Sequence, residues 1–173
     1  MRREYLSIFI VFVFKSFEHM KVLGIDPGIN GGIAVMDGNH RVLDVLCMPE
    51  TPMDILEFLR GYAGGVVVVY MEDVGRGMPG QSSSATAKFA RHCGHLEMAL
   101  LALGMRTVKV TPQKWEKMYQ LGRSSDYEKS EWKRRLKSKA QELFPDLGRK
   151  VTLSTCDALL LALYGVRQEC HGG

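Results

Sequence analysis

An apolar run in the middle of the chain constrains its fold more than any other feature. Residues 66–71 read VVVVYM, and Glu72 follows them directly. A β-branched run without polar alternation is typical of a strand buried on both faces in a parallel sheet. Because parallel strands are joined by crossover helices, the run predicts an α/β domain. Alternation along the strand places Glu72 on the face of Val68 and Tyr70, and Asp73 on the opposite face.

Turn signals and apolar periodicity divide the rest of the chain into further elements. The sequence predicts strands at 22–26, 32–36, 41–48 and 107–110, and helices at about 52–62, 84–103, 112–119, 126–143 and 155–166. The first three strands are linked by short turns and predict an antiparallel meander. The expected fold is therefore a mixed five-stranded sheet, in which a three-strand antiparallel meander joins parallel strands and helices cover both faces.

The chain length of 173 residues suits one domain. An apolar run at 5–14 is too short to cross a bilayer, which takes about 20 residues. We expect an extension of no assigned role at 1–19, a single domain at 20–168 and a short tail at 169–173. The four cysteines are scattered, which indicates reduced thiols and a cytoplasmic protein without a membrane partner.

Positive charge is concentrated in one segment. The net charge is +4, and residues 114–139 contain nine Lys and Arg against four Asp and Glu. A basic segment on an otherwise near-neutral chain suggests a polyanion bound on one side. A solvated helix face is the alternative interpretation.

Three acids are placed where metal-dependent chemistry would need them. Asp26 ends the first strand and Glu72 ends the fourth, so both reach the same sheet edge if those strands are parallel neighbours. Asp157 begins the last helix. Three converging carboxylates repel each other unless a cation lies between them, and hard oxygen ligands suit Mg²⁺ or Mn²⁺. Two such ions can align a water and stabilise the leaving oxygen of a phosphodiester.

Each acid also has a structural interpretation. Asp26, followed by Pro27 and Gly28, fits an ordinary turn after a strand. Glu72 fits a solvated strand end. Asp157 fits a helix-capping acid, since Ser154 stands three residues before it. The pattern alone leaves both interpretations open.

Five stretches carry a resemblance to a known family. They are GIDPGINGG at 24–32, VYME at 69–72, MPGQSSS at 78–84, TPQKW at 111–115 and DALLLALYG at 157–165. In this order they resemble RuvC-type Holliday-junction resolvases of the ribonuclease H-like superfamily, in the phage and prophage branch. The resemblance spans residues 21–167. It implies a ribonuclease H-like fold and a metal-dependent endonuclease, usually a homodimer, that makes paired nicks across a four-way DNA junction.

The resemblance also implies site residues. By matching position, Asp26, Glu72 and Asp157 would be ligands of Mg²⁺, with Mn²⁺ as a substitute. Lys129 would lie near the scissile phosphate, although a solvated lysine is an equal alternative. The loop at 75–83 would approach the junction centre, unless it is only a surface linker. The basic segment would bind backbone phosphates without reading sequence. The DNA-binding residues expected on this basis are Arg76, Met78, Lys114, Lys117, Arg123, Lys129, Lys133 and Arg134.

One position departs from the family pattern. RuvC-type proteins usually carry a fourth acid or a histidine about one turn before the last aspartate, where this chain has Leu153 and Ser154. The alternative functions are therefore a weak or inactive junction-binding protein and a ribonuclease H-like RNA-processing nuclease. A dinucleotide site is not expected, because the glycine-rich turn at 28–32 leads into a strand instead of a helix.

Overall fold

The computed structural model describes residues 20–65, 67–74 and 82–171. They contain a five-stranded sheet in the order β3-β2-β1-β4-β5. The strands are β1 (Lys21–Asp26), β2 (Gly32–Asp37), β3 (Val42–Cys47), β4 (Val67–Glu72) and β5 (Arg106–Val110). β1, β2 and β3 are antiparallel neighbours, whereas β4 is parallel to both β1 and β5. The mixed sheet predicted from the sequence is confirmed.

In the described ranges, five helices accompany the sheet. They are α1 (Pro52–Tyr62), α2 (Ser83–Ala102), α3 (Pro112–Glu116), α4 (Lys129–Leu143) and α5 (Cys156–His171), with 3₁₀ turns at Lys117–Tyr119, Ser124–Asp126 and Pro145–Lys150. α1 has the predicted bounds, because Thr51 and Asp54 form a reciprocal capping box and Pro52 occupies the first turn. Among the described residues, none of these helices is long and apolar enough to cross a membrane.

The two faces of the sheet have separate hydrophobic cores. Val67, Val69 and Met71 of β4 pack with residues of α1 and α2. Val68 and Tyr70 pack on the other face, where α5 crosses the sheet and α4 lies against α5. The alternation predicted for this strand is therefore correct. It matters for the site, because Glu72 belongs to the face that α5 covers.

The predicted start of the basic helix was wrong by about one turn. α4 begins at Lys129 instead of near 126, because Tyr127 is extended, with φ −132° and ψ 152°. Its ring stacks on Trp132 at a centroid distance of 5.7 Å, and the Arg135 guanidinium lies 4.3 Å from the Tyr127 ring centroid. These ring contacts favour an extended backbone at a position where composition suggested helix.

The last helix is longer than predicted. It continues to His171, whereas the apolar pattern ended at 166. Polar contacts extend it: Glu169 accepts a hydrogen bond from Tyr70 Oη (2.7 Å) and forms an ion pair with Arg106 (2.6 Å). Those partners come from β4 and β5, so periodicity within the helix could not reveal them. The predicted extension at 1–19 lies outside the described residues.

Candidate active site

The three candidate acids lie together at one edge of the sheet. β1 and β4 are parallel neighbours, and Asp26 and Glu72 are their last residues. Asp157 is the second residue of α5, which packs across the same face. All three side chains are largely buried, with 13% of the Asp26 side chain and 10% of the Asp157 side chain exposed. The edge therefore concentrates negative charge in a poorly hydrated environment.

A glycine in β1 allows α5 to bring its acid to the sheet. Gly24 faces the backbone of Ala158 and Ala162, and a Cβ at this position would overlap those backbone atoms. Since Gly24 lies two residues before Asp26, it has the same strand face. The backbones of α5 and β1 therefore lie against each other at Ala158, the residue after Asp157.

Hydroxyl groups fix the turn that leads into α5. Thr152 Oγ1 accepts hydrogen bonds of 3.2 Å from the backbone N–H groups of Ser154 and Thr155. Thr155 Oγ1 donates to the Lys150 carbonyl at 2.6 Å. Ser154 is thus part of a structural turn.

A lysine from α4 reaches the acids. Lys133 Nζ forms an ion pair with Asp157 Oδ2 and lies 3.5 Å from Asp26 Oδ2. Burial would lower the pKa of Lys133, but the charges of Asp157 and Asp26 raise it above its ordinary value. The ammonium is therefore a firmly protonated cation between two carboxylates.

Burial and repulsion from neighbouring carboxylates favour the protonated forms of Asp26 and Glu72. Burial, followed by the charge of Asp157, raises the pKa of Asp26 to about 6, although Lys133 opposes the change. Burial, followed by the charges of Asp26 and Asp157, raises the pKa of Glu72 to about 8. One ammonium thus compensates only part of the negative charge, and the site favours a further cation.

Trp115 orients Glu72. Its ring is fully buried, packs edge-on against Tyr119 at 6.1 Å, and donates a hydrogen bond from Nε1 to Glu72 Oε2 at 3.1 Å. Trp132 similarly donates from Nε1 to Glu116 Oε1 at 2.9 Å. Both tryptophans are thus buried and hydrogen-bonded to an acid, and no sequence pattern indicates either bond.

An open groove lies beside the acids. Its volume is about 520 Å³, and Lys129, Ser130, Lys133, Arg134 and Leu153 line it. Three of these side chains are basic and come from the first turns of α4. A groove of this charge and size fits a phosphate backbone that leads to the carboxylates.

The expected DNA-binding residues fall into three groups. Lys129, Lys133 and Arg134 line the groove, and Lys133 also pairs with Asp26 and Asp157. Lys114, Lys117 and Arg123 are exposed on the connection between β5 and α4. Arg76 and Met78 lie outside the described residues.

The donor set suits a divalent cation, although the side chains are not arranged around one. The part of the chain that the structure describes has no group of three or more His, Cys, Asp or Glu placed to hold a metal. The donors are nonetheless hard carboxylate oxygens, which Mg²⁺ and Mn²⁺ prefer, and their charge is undercompensated. Asp26, Glu72 and Asp157 are the residues that would hold such a cation.

Trp115→Phe is expected to lower the rate of metal-dependent catalysis about tenfold. Loss of a group that orients a metal ligand commonly has an effect of this size. The phenyl ring keeps part of the packing but cannot donate a hydrogen bond to Glu72. That bond lowers the pKa of Glu72, so its loss should raise this pKa further. The pH–rate profile of the variant should therefore shift to higher pH. Rates measured across pH test this. Trp132→Phe is the matched control. It makes the same change of side chain but removes a hydrogen bond to Glu116. An equal shift in its pH profile would contradict the assigned role of Trp115.

Without metal, the free energy of unfolding should fall as pH rises from about 4 to about 8. The pKa of Asp26 is raised to about 6 and that of Glu72 to about 8, so the unfolded chain releases these protons first. A divalent cation that binds the ionised acids removes this cost. Mg²⁺ should therefore raise the melting temperature more at about pH 8.5 than at about pH 5.5. Thermal unfolding with Mg²⁺ and with EDTA measures the difference, and Glu72→Gln should reduce it. An equal effect of Mg²⁺ at both pH values would contradict the coupling.

Comparison with known proteins identifies the fold. No protein-family model matches the chain, and no curated protein matches it in sequence. Among solved structures, it is similar to Thermus thermophilus RuvC in complex with a Holliday junction substrate, with a TM-score of 0.67 and 17% identity over 89% of this chain and 97% of that one. A second Thermus thermophilus RuvC structure gives a TM-score of 0.60 and 18% identity over 88% and 97%. The chain thus has a RuvC-like α/β fold.

Proposed function

We propose that this protein is a divalent-metal-dependent endonuclease that cleaves branched DNA at four-way junctions. The observation that carries the proposal is the meeting of Asp26, Glu72 and Asp157 beside a basic groove at the carboxyl edge of β1 and β4. The fold it shares with a RuvC bound to a Holliday junction substrate supports this substrate class.

The acids would bind the metal, and the groove would position the DNA backbone. Asp26, Glu72 and Asp157 would hold Mg²⁺ or Mn²⁺, which supplies activation of water and stabilisation of a leaving oxygen when bound. Hydrolysis forms a bond between a water oxygen and phosphorus and breaks the bond between phosphorus and one ester oxygen. Lys129 and Arg134 in the groove would position the backbone phosphates.

A homodimer would give the symmetry that a junction requires. Two active sites related by a twofold axis present the same surface to two equivalent strands. Paired nicks at opposite positions then follow from symmetry, without sequence recognition. The exposed lysines and arginine at Lys114, Lys117 and Arg123 would extend the phosphate-binding surface.

The decisive experiment compares a labelled immobile four-way junction with matched duplex. Purified residues 20–173, or the full chain, would be incubated with Mg²⁺, Mn²⁺ or EDTA. We expect cleavage of the junction only, with either metal and not with EDTA. Junction binding without cleavage would instead favour the binding-protein alternative, which the serine at position 154 supports. Cleavage of structured RNA in preference to the junction would favour the RNA-processing alternative.

Junction affinity should depend steeply on salt. About five phosphate contacts predict a slope near −4 to −5 for log K against log salt concentration. Titrations at several salt concentrations, in EDTA to prevent cleavage, give the slope. Arg134→Ala should remove one phosphate contact and so reduce the magnitude of the slope by about one. A flat response would exclude binding through the basic groove.

A further inference from the structure

Lys133 stands between two charged regions. Its Nζ pairs with Asp157 Oδ2 and lies 3.5 Å from Asp26 Oδ2, while the same side chain lines the basic groove. The side chain is 31% exposed, so it is neither enclosed in the core nor free in solvent. α4 holds its backbone in place, because Trp132 and Leu136 on either side of Lys133 are buried. Only the flexible part of the side chain needs to move for Nζ to leave the acids.

The oxygens that Lys133 contacts are the ones a metal needs. Asp26 and Asp157 are two of the three acids that would hold the cation, and the Lys133 ammonium competes with a metal ion for the same Oδ2 atoms. Besides Asp26 and Asp157, an acid and a thiol interact electrostatically with Lys133. Glu116 lies within electrostatic reach, tied to Trp132, and the Cys156 thiol is the next neighbour. Lys129 and Arg134, which line the groove with Lys133, are its basic neighbours.

We infer that Lys133 and the divalent cation exchange. Lys133 is the counter-ion of the acids before metal binds. Asp26 and Asp157 would then hold the metal, and the Lys133 ammonium would move into the groove to pair with a phosphate oxygen of the DNA backbone. This inference rests on the proposed function for the identity of the cation and of the polyanion.

The exchange couples the two ligands. Metal that displaces Lys133 adds a cationic group to the groove lined by Lys129 and Arg134, so it strengthens phosphate binding. By linkage, bound DNA strengthens metal binding by the same factor, since it holds Lys133 away from the acids. The chain would then bind metal more tightly when a phosphate backbone occupies the groove.

Two measurements test the exchange. The first is Mn²⁺ affinity, from the electron paramagnetic resonance signal of free Mn²⁺, in the full chain without DNA. Lys133→Met should bind Mn²⁺ about tenfold more tightly than wild type. Lys137→Met removes an equal charge one turn further along α4 and should leave the affinity near the wild-type value. Weaker or unchanged Mn²⁺ binding in Lys133→Met would overturn the inference.

The second measurement needs no variant. Amine labelling of the wild-type chain, quantified for each lysine by mass spectrometry, should show Lys133 protected in EDTA and labelled at least about threefold faster at saturating Mn²⁺. Labelling of Lys137 should not change. An unchanged or slower rate at Lys133 means that the lysine stays on the acids, and the inference is wrong. Junction cleavage with unchanged Lys133 labelling would refute the exchange and leave the proposed nuclease standing. Faster labelling without cleavage would refute the nuclease alone.

Discussion

Asp26→Asn is expected to abolish junction cleavage while leaving junction binding intact. Asp26 is one of the two acids that Lys133 contacts, and its charge raises the pKa of Glu72. The amide keeps the size of the side chain but lacks the charge that a divalent cation requires. We expect a loss of at least about a thousandfold in cleavage rate, equivalent to about 4 kcal/mol of activation free energy. Single-turnover cleavage and equilibrium binding measure the two quantities separately.

The same substitution should not destabilise the fold. Burial raises the pKa of Asp26 to about 6, so its charge costs folding free energy at neutral pH. An uncharged amide avoids that cost, and the variant should melt at or above the wild-type temperature in EDTA. Asp73→Asn is the matched control, since it makes the same chemical change at an exposed residue next to Glu72. Cleavage that survives in Asp26→Asn, or is equally lost in Asp73→Asn, would refute the assigned site.

The sequence predicted the sheet because its signals were local. The run at 66–71 could be buried only in a central strand, and alternation along it fixed the face of Glu72. Once β1 and β4 are parallel neighbours, two acids at their ends must share an edge. The meeting of these two acids is therefore a consequence of strand polarity, which a sequence pattern can express.

The remaining parts of the site depend on contacts between distant segments. Lys133 stands among several basic residues of α4, and nothing local distinguishes it from Lys129 or Arg134. The packing of α4 determines which of them reaches the acids, and Lys133 is 107 positions from Asp26 in the sequence. Trp115 gives the same lesson, since its bond to Glu72 joins residues 43 positions apart. A donor that fixes a ligand has no sequence signature of its own.

Substitution of Gly24 by a larger residue should cost more stability than any change at the acids. A Cβ at Gly24 would overlap the backbone of Ala158 and Ala162, which cannot move as a flexible side chain would. Gly24→Ala should cost about 3 kcal/mol of unfolding free energy, and Gly24→Val should prevent folding, because α5 must leave the sheet. Any Gly24→Ala protein that folds should bind Mn²⁺ poorly, since that displacement separates Asp157 from Asp26.

Gly94→Ala is the control: a Cβ at this position, inside α2, meets nothing within 4 Å. That change should raise stability by about 0.5–1 kcal/mol through helix propensity. Chemical denaturation gives both values. Wild-type stability in Gly24→Ala would mean that α5 does not approach β1 at backbone distance, and the placement of Asp157 beside Asp26 would fail with it.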